Sequence, residues 1–291
     1  MPPEPAANNI DLGLSDRLRD HLQHIARERD PYLATAGHFY VQTYIRECLQ
    51  QWGSVESHPL AFYGRTHQNL ILKLPASLSE PQQGVVIVGA HYDAVPGSPG
   101  ADDNGSGVAV LLELARLCAA RPLTRPLWFV AFDLEEAGLL GSTAYVEMLW
   151  KEKQPIHLML SLEMLGYYSD HPYSQSYPSP LQYFYPNAGN FLALIGNLPT
   201  LLDLWRFRRL FRRQGISCEY LPAGWKGQLV PDTRRSDHAP FWDKGYRAIM
   251  VTDTAFLRNP HYHQASDRIE TLDIHRMANV CLGLAKLLQN P

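Results

Sequence analysis

A chain of 291 residues that is 45% hydrophobic can bury a sizeable core, and its length suits one large α/β domain as well as two small ones. A net charge of -3 with 19% charged residues provides no general basic field, so nucleic acid is not expected as a partner, and small or peptidic partners are. The most apolar stretch, Phe191 to Trp205, is broken by Asn197, Pro199 and Asp203, so no membrane span or membrane partner is expected.

Residues 1 to 12 are Pro-rich and polar and read as a flexible tail before a single domain over 13–291. They lack the basic and apolar regions of a secretory signal, so the chain is expected to be cytoplasmic or already trimmed, with cytoplasmic the favoured reading. A helical pattern begins at Ser15, with Leu18, Leu22 and Ile25 on one face, and a second runs from about Phe39 through Tyr44, Ile45 and Leu49 to Gly53. Two β-type runs follow at 55–62 and 69–74, with a hairpin-like turn at Gly64 and Arg65.

The centre then alternates. Strands are predicted at 85–90, 126–132 and 158–162, with helices at 105–120 and 138–151 between them. Continuous apolar strands interleaved with helices predict an α/β fold, a three-layer αβα sandwich around a mixed, mostly parallel sheet. In such sheets ligands gather where strands end and loops begin. The segment 169–190, rich in Tyr, Pro and Ser, has no period and reads as a long surface loop of a kind that often carries function.

A helix at about 200–214 carries Arg206, Arg208, Arg209, Arg212 and Arg213 beside a stripe of Leu204, Trp205, Leu210 and Phe211. Its basic side reads as a solvated face in preference to an anion site. A strand near 248–252, a loop at 255–270 and an amphipathic helix at 273–288 close the chain. Cys48, Cys118, Cys218 and Cys281 show no paired metal-type spacing and read as reduced thiols.

Chemistry-bearing residues follow the strands. After 85–90 come His91-Tyr92-Asp93 and a Gly-Pro-rich run that contains Asp102, Asp103 and Asn104; imidazole and carboxylate both bind zinc. No Gly-Lys-Ser/Thr follows, so this is not a phosphate loop. The next strand delivers Glu135 and Glu136, adjacent carboxylates that are costly to bring together without a cation. One can then bind metal while the other takes a proton from water. Glu163 follows a third strand, and His261 and His263 lie in a late polar loop. Each feature has a plain structural explanation by itself: a hydrogen-bonding cluster, a helix start, an exposed loop histidine. Their occurrence in order, each after a strand or in a loop, points to a metal centre.

The block from Gly89 to Gly107 resembles the M28 family of zinc peptidases, which includes bacterial aminopeptidases and the related glutaminyl cyclases, and the likeness extends over about 35–288. The resemblance implies that His91, Asp103 and Glu163 hold one zinc and that Asp103, Glu136 and His263 hold another, two ions per chain and at least one. It also implies Glu135 as the general base and a cis peptide after Asp103. Asp93 and Ser236-Asp237-His238 resemble positions that orient ligands. Where Glu163 stands, the aminopeptidases commonly have Asp, so the first zinc is expected to be shifted or loosened.

The implied activity is removal of N-terminal residues from peptides with a free N-terminus. A single-zinc glutaminyl cyclase is the alternative, and an inactive peptidase-like binding domain a remoter one. Tyr167, Tyr168, Trp225, Phe241 and Tyr262 are candidate pocket walls.

Overall fold

The structure, a computed structural model, describes residues 13–77 and 83–289; the tail expected at 1–12 lies outside the described residues. Two helices, α1 (Leu14–Ile25) and α2 (Thr35–Gln50), precede a hairpin of β1 (Val55–Phe62) and β2 (Arg65–Leu74). Then follow β3 (Val85–His91), α3 (Gly107–Ala119), β4 (Leu127–Phe132), α4 (Leu140–Lys151) and β5 (Ile156–Glu163). The last third supplies β6 (Leu192–Asn197), α5 (Leu201–Arg213), β7 (Cys218–Ala223), α6 (His238–Asp243), β8 (Ala248–Thr252) and α7 (Ile274–Gln289).

The strands form one eight-stranded sheet in the order β1-β2-β4-β3-β5-β8-β6-β7. Pairs β3/β4, β3/β5, β5/β8 and β6/β7 are parallel, and β1/β2, β2/β4 and β6/β8 antiparallel. The sheet is mixed, as expected for this α/β sandwich.

Its central strands are apolar on both sides because both sides are covered. In β3, Val86, Val88 and Ala90 join a large core with α1, α3 and α7, whereas Val85 and Ile87 join a second core with Tyr145, Val146 and Leu149 of α4 and Phe241 and Trp242 of α6. The four-residue spacing of Leu14, Leu18 and Leu22 in α1 places all three at 0% exposure, each worth roughly 1.5–3 kcal/mol of burial before entropy is counted. No helix among the described residues is long and apolar enough to cross a membrane. All four cysteines are free.

Three elements depart from the expectations. The hairpin turns at Tyr63 and Gly64, both at positive φ, and β2 already starts at Arg65. The strand thus begins four residues before the predicted 69–74 run, and in this added part His67 is buried, with Asp133 as its partner. The apolar stretch at 191–205 divides into β6 and the start of α5, and β7 had no alternation to mark it. The basic face of α5 is partly tied down: Arg208 and Arg212 both pair with Glu219.

Candidate metal centre

The parallel strands β3, β4, β5 and β8 end along one edge, and the predicted site residues converge there. His91 and Glu163 are the last residues of β3 and β5, Glu135 and Glu136 follow β4, Asp103 lies in the turn that leads into α3, and His263 lies in the loop after β8.

Two groups form around Asp103. Its Oδ1 is 3.4 Å from His91 Nε2, which is also 3.6 Å from Glu163 Oε1. Its Oδ2 is 3.1 Å from His263 Nε2, which is 3.4 Å from Glu136 Oε1. Ligands at about 2.0–2.2 Å from a tetrahedral zinc sit roughly 3.4 Å apart, so these separations suit an ion in each group. Glu135 Oε2 is 4.0 Å from His91 Nε2, beside the first group.

Unmet bonding capacity tells the same story. Both ring nitrogens of His91, Glu136 Oε1 and His263 Nε2 are buried without a hydrogen-bond partner, which is costly unless something else binds them. Burial, with the nearby Glu163 and Glu136 carboxylates, pushes Glu135 well above the usual carboxylate range. Glu136 is raised to about 7 by burial and by Asp103. A cation relieves both costs.

The supporting residues are locked in turn. Asp93 accepts the backbone N–H of Glu135 and of Glu136, each at 3.1 Å, and Asp267 accepts those of Asp102 at 2.9 Å and Asp103 at 3.0 Å. The buried Arg29 donates to the carbonyls of Tyr92 at 2.8 Å, Gly100 at 2.9 Å and Asp103 at 3.1 Å, which cross-links both ends of the loop. The Asp103–Asn104 peptide bond is cis. The Asn104 side chain spans to the Leu162 carbonyl at 2.8 Å and to the Met164 N–H at 3.0 Å. Gly107 is required at the turn, since a Cβ there would meet Asn104 Oδ1 at 2.2 Å.

Glu163, the departure from the family pattern, is held by a second group. Ser236 Oγ donates to Glu163 Oε2 at 2.7 Å, which leaves Oε1 facing His91. Beside Ser236, His238 bonds the Thr233 carbonyl at 2.8 Å and packs edge-on to Trp242. Asp237 is buried with both oxygens unpartnered.

A further cluster of His38, His67 and Asp133 is satisfied internally. His38 Nε2 and the Tyr92 hydroxyl each lie 2.8 Å from an Asp133 oxygen, and the Tyr32 hydroxyl is 3.1 Å from His67 Nε2.

Beside Glu163 opens an apolar cavity walled by Tyr177, Tyr185, Phe191, Tyr220, Met250 and Phe256. Of the aromatics expected to line a pocket, Tyr262 lines this cavity. Phe241 is core, Trp225 is 75% exposed, Tyr168 borders a separate depression with Asp170 and Arg276, and Tyr167 lies edge-on to His261. Sequence reasoning also missed Arg29, whose surroundings in the chain carry no signal of a buried role.

Solved structures of similar fold include the LapA aminopeptidase of Legionella pneumophila, with TM-score 0.72 and 20% identity over 98% of this chain and 76% of that one. The zinc aminopeptidase BSAP of Bacillus subtilis has TM-score 0.56 and 29% identity, covering 80% of this chain and 52% of its own. A glutaminyl cyclase of Porphyromonas gingivalis has TM-score 0.66 and 19% identity, covering 95% and 96%. These likenesses define the class of fold, a mixed α/β sheet shared by aminopeptidases and a glutaminyl cyclase. The sequence profile of peptidase family M28 matches residues 69–195. YfbL, an uncharacterised protein of Escherichia coli, is 34% identical over 263 residues, 85% of this chain and 78% of its own length. The aminopeptidase YwaD of Bacillus subtilis is 46% identical over 122 residues, 41% of this chain and 26% of its own. The chain belongs to peptidase family M28. It spans about a quarter of YwaD and about half of BSAP.

Proposed function

We propose that residues 13–291 act as one catalytic domain, a zinc aminopeptidase with Glu135 as its general base. The observation that carries this reading is the division of Asp103, one oxygen toward His91 and the other toward His263, as a carboxylate shared between two ions requires. His91, Asp103 and Glu163 would hold one zinc, and Asp103, Glu136 and His263 the other. Bound zinc supplies a Lewis acid and a water of lowered pKa.

The rest falls to the chain itself. Glu135, beside the first group at 4.0 Å from His91, takes a proton from the attacking water and passes it to the leaving amine. Carboxylates around the centre receive the free α-amine of the substrate. The adjacent apolar cavity receives its first side chain and excludes water from it.

Glutaminyl cyclisation is the second reading, favoured by a cyclase fold that matches this chain almost end to end. The paired clusters argue for hydrolysis, since cyclisation with one zinc leaves either His91 and Glu163 or His263 and Glu136 without a task.

The test is to incubate the zinc-loaded protein with a peptide pool that includes N-acetylated and Gln-leading members and to follow masses. Stepwise loss of N-terminal residues from free-amine peptides alone is expected. Loss of ammonia from Gln-leading peptides alone would establish the cyclase instead.

A further inference from the structure

Arg235 lies at the mouth of the apolar cavity with its side chain exposed. Two contacts hold its guanidinium: it donates to the Tyr262 hydroxyl at 3.2 Å, and its Cζ lies 4.7 Å from the centre of the Phe256 ring. Tyr262 in turn stacks on His263, ring centres 3.8 Å apart at 20°. The cation is thus tied to the metal centre through neutral aromatic groups.

Its charge is unspent. Arg235 makes no ion pair among the described residues, whereas its neighbour Arg234 pairs with Asp243 at 2.7 Å. The other arginines near the cleft are committed: Arg29 is buried on backbone carbonyls, and Arg258 on Gln175 and the Phe191 carbonyl. Asp232 and Glu135 act on Arg235 only from beyond ion-pair distance.

A guanidinium presents a planar fork of donors that matches a carboxylate, and an exposed rim lets the ligand arrive without first stripping both partners of water. A peptide with its first side chain in the cavity brings its amine and scissile carbonyl to the carboxylate-rich centre. In a dipeptide the terminal carboxylate follows one residue later, within about 4 Å of extended chain. We propose that Arg235 binds the free C-terminal carboxylate of short peptides, which makes dipeptides with an apolar first residue the preferred substrates. This rests on the aminopeptidase reading and adds to it the length of the substrate.

The experiment compares zinc-loaded full-length protein on a dipeptide with an apolar first residue, on the C-terminal amide of the same dipeptide, and on a longer peptide with the same first two residues. The free acid is expected to exceed its amide in kcat/KM by about 10- to 100-fold, carried mainly by KM. In Arg235→Met the preference collapses toward one, and Arg235→Lys, a charge without the fork, keeps part of it. Zinc content and melting temperature are measured for each variant, so that loss of the centre is seen separately. Equal use of acid and amide by the native protein overturns the proposal. So does an equal loss on both substrates in Arg235→Met, which would place the guanidinium on the carbonyl oxygen they share. Hydrolysis of neither substrate overturns the aminopeptidase reading and this inference with it.

Discussion

One oxygen of Asp93 accepts the backbone N–H of Glu135 at 3.1 Å, so the proposed base is held in place from behind by a second carboxylate. Asp93 Oδ1 also lies 3.5 Å from His91 Nδ1. Asp93→Ala removes these contacts and the bond from the Glu136 N–H, and leaves the zinc-ligand side chains themselves in place. The expected result is a fall in kcat of about 10- to 100-fold with at least one zinc retained. Steady-state kinetics beside metal analysis decide it, and an unchanged kcat would remove Asp93 from this role.

Glu135→Gln keeps the shape of the side chain and abolishes its proton acceptance. A loss of about 100- to 10,000-fold in kcat is expected, with zinc content and melting temperature close to native. A variant that lost its zinc along with its activity would reassign Glu135 as a ligand, a possibility its 4.0 Å distance from His91 leaves measurable.

The shared carboxylate makes the metal count sensitive to which residue is removed. Native protein should bind two zinc ions, His263→Ala one, and Asp103→Ala neither at comparable affinity. Chelation should lower the melting temperature and zinc should restore it, because a ligand that binds only the folded state stabilises it. Equal stoichiometry in His263→Ala and Asp103→Ala would contradict the bridging role.

Acid stability has a separate origin, on the helical side of the fold. Burial raises the pKa of Glu113, but bonds from His21, Arg116 and Arg17 outweigh it and hold the carboxylate at about 2, against 4.5 for a free glutamate. The unfolded chain therefore takes up the proton first as pH falls. The stabilisation is complete above pH 4.5, declines below it and is gone near pH 2; its ceiling is ~3 kcal/mol. Denaturant unfolding from pH 6 to pH 2.5 should show Glu113→Gln less stable than native at pH 6, with the gap closing toward pH 2.5. A gap that stayed constant would assign the loss to packing.

The residues of the centre were legible because each is polar and directly follows a continuous apolar strand or sits in a polar loop. His91 ends β3, Glu135 and Glu136 leave β4, and Glu163 ends β5. Pattern alone could not show how Glu163 would be accommodated, since its partner Ser236 is 73 residues away. Distance in sequence also hid the start of β2, where His67 is buried against Asp133. The cavity walls were the least legible. Whether Phe241 is core or Phe256 faces a cavity depends on neighbours brought by other strands, and aromatic side chains suit both places.

The metal-facing residues come from the ends of β3, β4 and β5 and from the loops after β3 and β8, whereas much of the cavity wall comes from β6, β7 and the segment carrying Tyr177 and Tyr185. Chemistry and selection thus sit on largely separate stretches of chain that meet at Glu163 and Tyr262. On the proposed function, substitutions at Tyr177, Tyr185 or Tyr220 are expected to change which first residue is accepted without disturbing a ligand. On that reading the reaction centre is fixed and the receptacle interchangeable, so altering the substrate range calls for redesign of the receptacle.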